Sequence, residues 1–107
     1  MENQHRKIKG YRELSQEEID LMNEIKTKGI ELAELVAKVK GHIHKQYTQV
    51  DNLLKPGDVY NAEMAAAHVE RERLNAADSY RWLAIAKTDF QTGLMALTRT
   101  VAQPETF

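Results

Sequence analysis

From Met22 onward the apolar and small residues of the chain recur in alternating steps of three and four: Met22, Ile25, Gly29, Leu32, Val36, Val39 and Ile43. That spacing follows one face of a helix and predicts a long helix packed against a partner. Ser15 and Glu18 form a capping box, in which hydroxyl and carboxylate each accept from a backbone N–H that the first turn leaves unpaired. The helix is therefore predicted to start near Gln16, and its pattern carries into the low fifties. Leu54-Lys55-Pro56-Gly57-Asp58 reads as a reversal, with proline fixing one torsion and glycine permitting positive φ. A second long helix, capped by Asp58 or Asn61, is predicted to carry Ala66, Val69, Ala76, Tyr80, Leu83, Phe90, Leu94, Leu97 and Val101 on the same spacing. It is expected to stop near Ala102, because the residue before Pro104 is pushed out of helical geometry.

Arg73 and Lys87 interrupt this second stripe where its period asks for apolar groups. Charge in a seam costs stability unless it emerges at the edge or finds a partner. The two residues either snorkel at an edge and set register, or line a polar cavity. Leu21, Leu35, Trp82, Ile85 and Met95 fall off both stripes, and a lone hairpin would leave them as an apolar patch of the kind that marks an interface. The expected fold is thus all-α: a basic N-terminal arm over residues 1–14, extended or a short helix, and an antiparallel helical hairpin over 15–103 with its turn near 54–60. The hairpins are expected to assemble into a helical homo-oligomer.

Composition narrows the function. A 107-residue chain supports one modest core, and 42 % hydrophobic with 29 % charged residues is ordinary for a folded soluble protein. A net charge of −1 argues against a dedicated duplex DNA or RNA binder. The absence of cysteine removes disulfides, thiolate catalysis and sulfur-ligated zinc, and fits a reducing interior. No apolar run approaches the roughly 18 residues of a membrane span, and the charged N-terminus has no signal-type apolar stretch. A cytoplasmic protein without membrane partners is expected.

Enzyme chemistry finds little footing. His42 and His44 are two apart and face different sides of a helix, so they cannot share a metal as an i, i+4 pair would; His5 and His68 stand alone. Pairs such as Glu31 with Glu34, or Glu63 with Glu70, are common on solvated helix faces and lack the spacing of a di-metal centre. No nucleophile, base and orienting group can be assembled, so no catalytic residue, metal or cofactor is expected.

The arm is different. Arg6, Lys7, Lys9 and Arg12 surround Gly10-Tyr11 with no acid between His5 and Arg12. Cations hold phosphate while an aromatic ring stacks on a base, and glycine lets the backbone approach a ligand closely. Tyr11 could instead simply anchor the terminus on the first helix. Lys26 has Met22, Asn23, Gly29 and Ile30 three and four residues away, none acidic, so no good intrahelical pair occupies it. Thr98 and Arg99 lie in the final turn, where arginine also serves the helix dipole. A hairpin returns that turn beside the start of the first helix and so gathers the cations at one end.

NQHRKIKGYRELSQEEIDLMNEIK at residues 3–26 and RWLAIAKTDFQTGLMALTRTVAQP at residues 81–104 resemble the hairpin domain of phage anti-CBASS cyclic-oligonucleotide sponges. CBASS is the bacterial cyclic-oligonucleotide antiphage signalling system, and a related hairpin occurs in Thoeris anti-defence sponges. The resemblance implies a homohexamer that binds cyclic dinucleotides such as cGAMP, and cyclic trinucleotides, in the cytoplasm of the infected bacterial host, keeping them from their effectors without cleavage. In the dinucleotide pocket it implies a base-stacking tyrosine and a phosphate-contacting lysine, which match Tyr11 and Lys26. Gly10, Arg6, Thr98 and Arg99 are added to the ligand site from charge and position. The competing expectation is a structural or adaptor hairpin that binds a protein partner through its off-stripe apolar residues.

Overall fold

The computed structural model describes residues 13–55, 57 and 59–105. Among them the chain is helical: α1 spans Gln16–Leu53, α2 Ala62–Ala77 and α3 Ser79–Ala102. α1 and the α2–α3 run form the hairpin that the hydrophobic pattern predicts. The arm residues Arg6, Gly10 and Tyr11 lie outside the described residues, as does Asp58, one of the two candidate caps.

Each boundary has a local cause. At the start of α1 the capping box is closed in both directions: the Ser15 N–H donates to Glu18 Oε1 at 2.8 Å, and the Glu18 N–H donates to Ser15 Oγ at 3.2 Å. After α1, Gly57 takes the positive φ of 90° that the reversal requires. Asn61, in extended geometry, caps α2 by accepting from the Met64 N–H at 2.9 Å. α3 ends at Gln103: its N–H still closes on the Arg99 carbonyl at 2.8 Å, and its left-handed φ of 47° then turns the chain out of the helix.

The predicted single second helix is corrected by the structure. Asp78 adopts the left-handed conformation (φ 53°, ψ 43°), donates its N–H to the Asn75 carbonyl at 3.2 Å, and accepts from the Trp82 N–H at 3.2 Å. One residue thus closes α2 and opens α3. Packing explains the interruption. Leu74 and Leu83 stand about two and a half turns apart, so an unbroken helix would put them on opposite faces; here Leu74 is 2 % exposed and Leu83 is half-buried. The phase of α2 is accordingly not the predicted one. Ala67 and Leu74 are buried, whereas Ala66, Val69 and Ala76 are exposed, Val69 at 68 %. Arg73 and Lys87 therefore interrupt nothing, since both are exposed, and Arg73 pairs with Glu70 one turn back.

The chain divides into two compact units, one joining residues up to Ala33 with those from Thr88 onward, the other running from Glu34 to Lys87. In the second unit Val50, Ala67 and Leu74 form a small core with Tyr47 and Leu54 packed on it. The Tyr47 hydroxyl donates to Asn75 Oδ1 at 2.9 Å while its ring stacks on Tyr80 at 5.8 Å. An ion pair between Arg71 and Asp51 also ties α2 to α1. In the first unit Met22, Ile25, Gly29 and Leu32 of α1, and Leu94 and Val101 of α3, are half-buried along the predicted stripes, whereas Phe90 and Leu97 of the predicted stripe are exposed and Thr98, off it, is half-buried instead. Off those stripes Leu21, Leu35, Trp82 and Met95 are exposed, as the pattern predicts, and Ile85 is half-buried. No helix among the described residues is long and apolar enough to cross a membrane.

Candidate functional site

Within the first unit, α1 contributes Lys26 and α3 contributes Thr98 and Arg99 to one groove of about 640 Å³. Three of the sequence-predicted ligand residues are thus together, although Lys26 and Arg99 are far apart in the chain. Periodicity does this. Lys26 is one turn beyond Met22 and adjoins Ile25, so the stripe that packs α1 places the lysine at its edge, where a long stem can rest on apolar surface while its ammonium reaches water. Arg99 occupies the last turn of α3, where the carbonyl-rich helix end favours a cation.

The floor is apolar, from Met22, Ile25, Leu94 and Met95, and among the described lining residues there is no carboxylate. Lys26 has no ion-pair partner among the described residues. The groove therefore presents Lys26, with Arg99 also in its lining, beside an apolar bed, an arrangement suited to a flat heterocycle carrying phosphate.

Thr98 has a narrower capacity than its residue type suggests. Its hydroxyl donates to the Leu94 carbonyl at 2.9 Å, which commits its only proton. The oxygen still accepts, but it cannot donate to a phosphate, itself an acceptor.

A second apolar groove in the same unit, about 790 Å³, is lined by Leu21, Leu94, Leu97 and Val101 together with Glu24 and Lys28. It is larger but less suited to an anion, because Lys28 is engaged by Glu31 at 3.3 Å and Glu24 adds negative charge. Among the described residues no group of three or more His, Cys, Asp or Glu could hold a metal ion. The Glu63 and Glu70 face of α2 carries one engaged acid: the hydrogen bond from Arg73 holds the Glu70 carboxyl below its ordinary pKa, and Glu70 raises that of Arg73.

Sequence reasoning passed over Asn23 and Met95 as lining residues. Their signal is positional: Asn23 precedes Lys26 by three residues and Met95 precedes Thr98 and Arg99 by three and four, so each shares a face with a residue already singled out.

Comparison with known proteins agrees with this architecture. Residues 3–102 match the family model described as "Acb2/Tad1, hairpin domain". The chain is 48 % identical over 111 residues to "Anti-CBASS protein 2" of Pseudomonas phage JBD67, covering 98 % of each protein. On a match that spans nearly every residue, this chain belongs to the Acb2/Tad1 hairpin-domain family.

Proposed function

We propose that the protein counters CBASS-type antiphage signalling by sequestering cyclic oligonucleotide messengers, both cyclic dinucleotides such as cGAMP and cyclic trinucleotides, without cleaving them. The observation that supports the reading is the groove that Lys26 and Arg99 line together with apolar side chains and, among the described residues, without a carboxylate. The name of the phage relative, Anti-CBASS protein 2, supports it at the level of the pathway. Lys26 contacts phosphate, Arg99 adds a second cation, and Tyr11 stacks on a base, with Gly10 and Arg6 completing the arm. The protein works in the cytoplasm of the infected host cell.

Capture by sequestration has to win on affinity. A Kd of about 1 nM corresponds to about −12 kcal/mol, more than a few phosphate contacts and stacked bases supply if the pocket must first be ordered. A pocket shared by preassembled subunits avoids part of that cost. The single chain leaves Leu35, Trp82 and Met95 exposed at 52 %, 59 % and 72 %, so apolar surface is available for a homo-oligomer, which we take to be a hexamer.

The test is to incubate the purified protein with a panel of cyclic di- and trinucleotides, measure melting shifts, then heat-denature and recover the ligand. Concentration-dependent stabilisation with intact ligand supports the reading. Linear products identify an enzyme instead. No shift with any ring, together with a stable protein complex pulled from infected cells, supports the adaptor alternative.

A further inference from the structure

We infer that Asn23 and Thr98 read a base edge in this groove and select rings whose bases carry an exocyclic amine beside a ring nitrogen acceptor, adenine above all; the inference rests on the sequestering function proposed above. Both residues line the groove, one from each helix, and each stands next to a cation: Asn23 one turn before Lys26, Thr98 adjacent to Arg99. Charge for phosphate is therefore already provided, and these two neutral groups are left for the remainder of the ligand.

Their hydrogen-bonding capacities are unequal and complementary. Because the Thr98 proton is spent on the Leu94 carbonyl, this oxygen can only accept. A ligand atom that meets it favourably must be a donor, which rules out phosphate oxygens and the carbonyl of hypoxanthine or uracil. The Asn23 backbone carbonyl accepts from the Thr27 hydroxyl at 3.0 Å, while its side-chain carboxamide has no partner among the described residues and keeps both an acceptor and a donor face. A carboxamide pairs with the exocyclic amine and N7 of adenine in a two-point contact, whereas the same edge of hypoxanthine presents two acceptors, N7 and O6. Together the residues present two acceptors and one donor to a base lying on the Met22, Ile25, Leu94 and Met95 floor.

The decisive probe is a pair of rings of nearly identical shape, cyclic di-adenosine monophosphate and cyclic di-inosine monophosphate, in which the amine is replaced by a carbonyl and N1 gains a proton, so that the N7 edge loses its donor while ribose, phosphate and stacking area are kept. Calorimetry on the full chain is expected to show the adenine ring bound about tenfold or more tightly, since a site built to pair with a donor rejects the analogue lacking it. Asn23→Ala and Thr98→Val should each shrink that ratio, Thr98→Ser should restore it, and Lys26→Ala should weaken both rings while preserving the ratio. Equal affinity of the parent protein for the two rings, within about twofold, overturns the inference but leaves sequestration standing. A ratio that survives both Asn23→Ala and Thr98→Val does the same. Failure of the parent to bind either ring, or any other in the panel, overturns sequestration itself and this inference with it.

Discussion

Gly29 of α1 faces Leu94 of α3 so closely that a methyl group on the glycine would sit 3.3 Å from Leu94 Cδ1. Both residues also line the groove, so the same contact sets its depth. An added methyl asks Leu94 to yield by a few tenths of an ångström, while replacing a mid-helix glycine by alanine gains about 0.5–1 kcal/mol. The opposing effects nearly cancel. Gly29→Ala is expected to unfold in urea within about 0.5 kcal/mol of the parent, whereas Gly29→Leu should lose about 1–3 kcal/mol by overpacking. Gly41, with nothing within 4 Å, is the control: Gly41→Ala should gain close to the full helix-propensity difference. All variants are compared at one protein concentration, because assembly shifts apparent stability.

Asp78 carries a backbone conformation that glycine adopts freely and β-branched residues resist. Asp78→Gly and Asp78→Asn are expected to stay within about 0.5 kcal/mol of the parent, and Asp78→Val to lose about 1–2 kcal/mol. Urea midpoints at constant m-value test this. A neutral valine variant would show that α2 and α3 can fuse into one helix without loss.

The Glu70–Arg73 pair predicts a pH dependence. Its hydrogen bond to Arg73 lowers the Glu70 pKa on folding, so the folded chain binds that proton less tightly than the unfolded chain. The contribution is complete above the ordinary carboxylate pKa and disappears as pH falls through the folded value. Arg73, shifted upward, stays charged throughout this range. Glu70→Gln should therefore be slightly less stable than the parent at neutral pH, with the difference closing below about pH 4. The pair lies at the surface, so the effect is small and salt-sensitive. Melting curves at two pH values and two salt concentrations measure it.

Lys26→Ala is expected to weaken cyclic dinucleotide binding by at least about tenfold, the usual consequence of removing a charged hydrogen-bond partner from a phosphate. Since Lys26 is exposed and has no ion-pair partner among the described residues, the melting temperature of the ligand-free protein should hardly change. Tyr11→Ala should abolish dinucleotide binding while leaving the oligomeric state of the parent unchanged. Calorimetry with size-exclusion chromatography separates the two effects, and unchanged affinity in both variants would refute this assignment.

The ends of the helices were legible because each is written in side-chain chemistry: Ser15 with Glu18, Asn61 ahead of α2, and Pro104 just past Ala102. The break at Asp78 was not. Neither proline nor glycine marks it, and an aspartate within Ala76-Ala77-Asp78-Ser79-Tyr80 looks like any solvated helical position. Only the distance between Leu74 and Leu83, out of step with a continuous helix, carries the signal, and it can be read only once both are known to face inward. At the groove, Lys26 and Arg99 could be found from charge and position. Asn23 could not, because a neutral amide on a helix surface gains meaning only from what lies across from it.

Changes of chain length should be filtered by where they fall. A single residue inserted within α1 would rotate everything beyond it by about 100°, swinging Ile43 and Val50 away from the side set by Met22 and Ile25. The same insertion beside Asp78 meets a joint where the winding already starts afresh. Among family members, gaps and additions should accordingly gather at that joint and in the segment from Leu54 to Asn61, while α1 keeps a fixed count like the teeth of a gear.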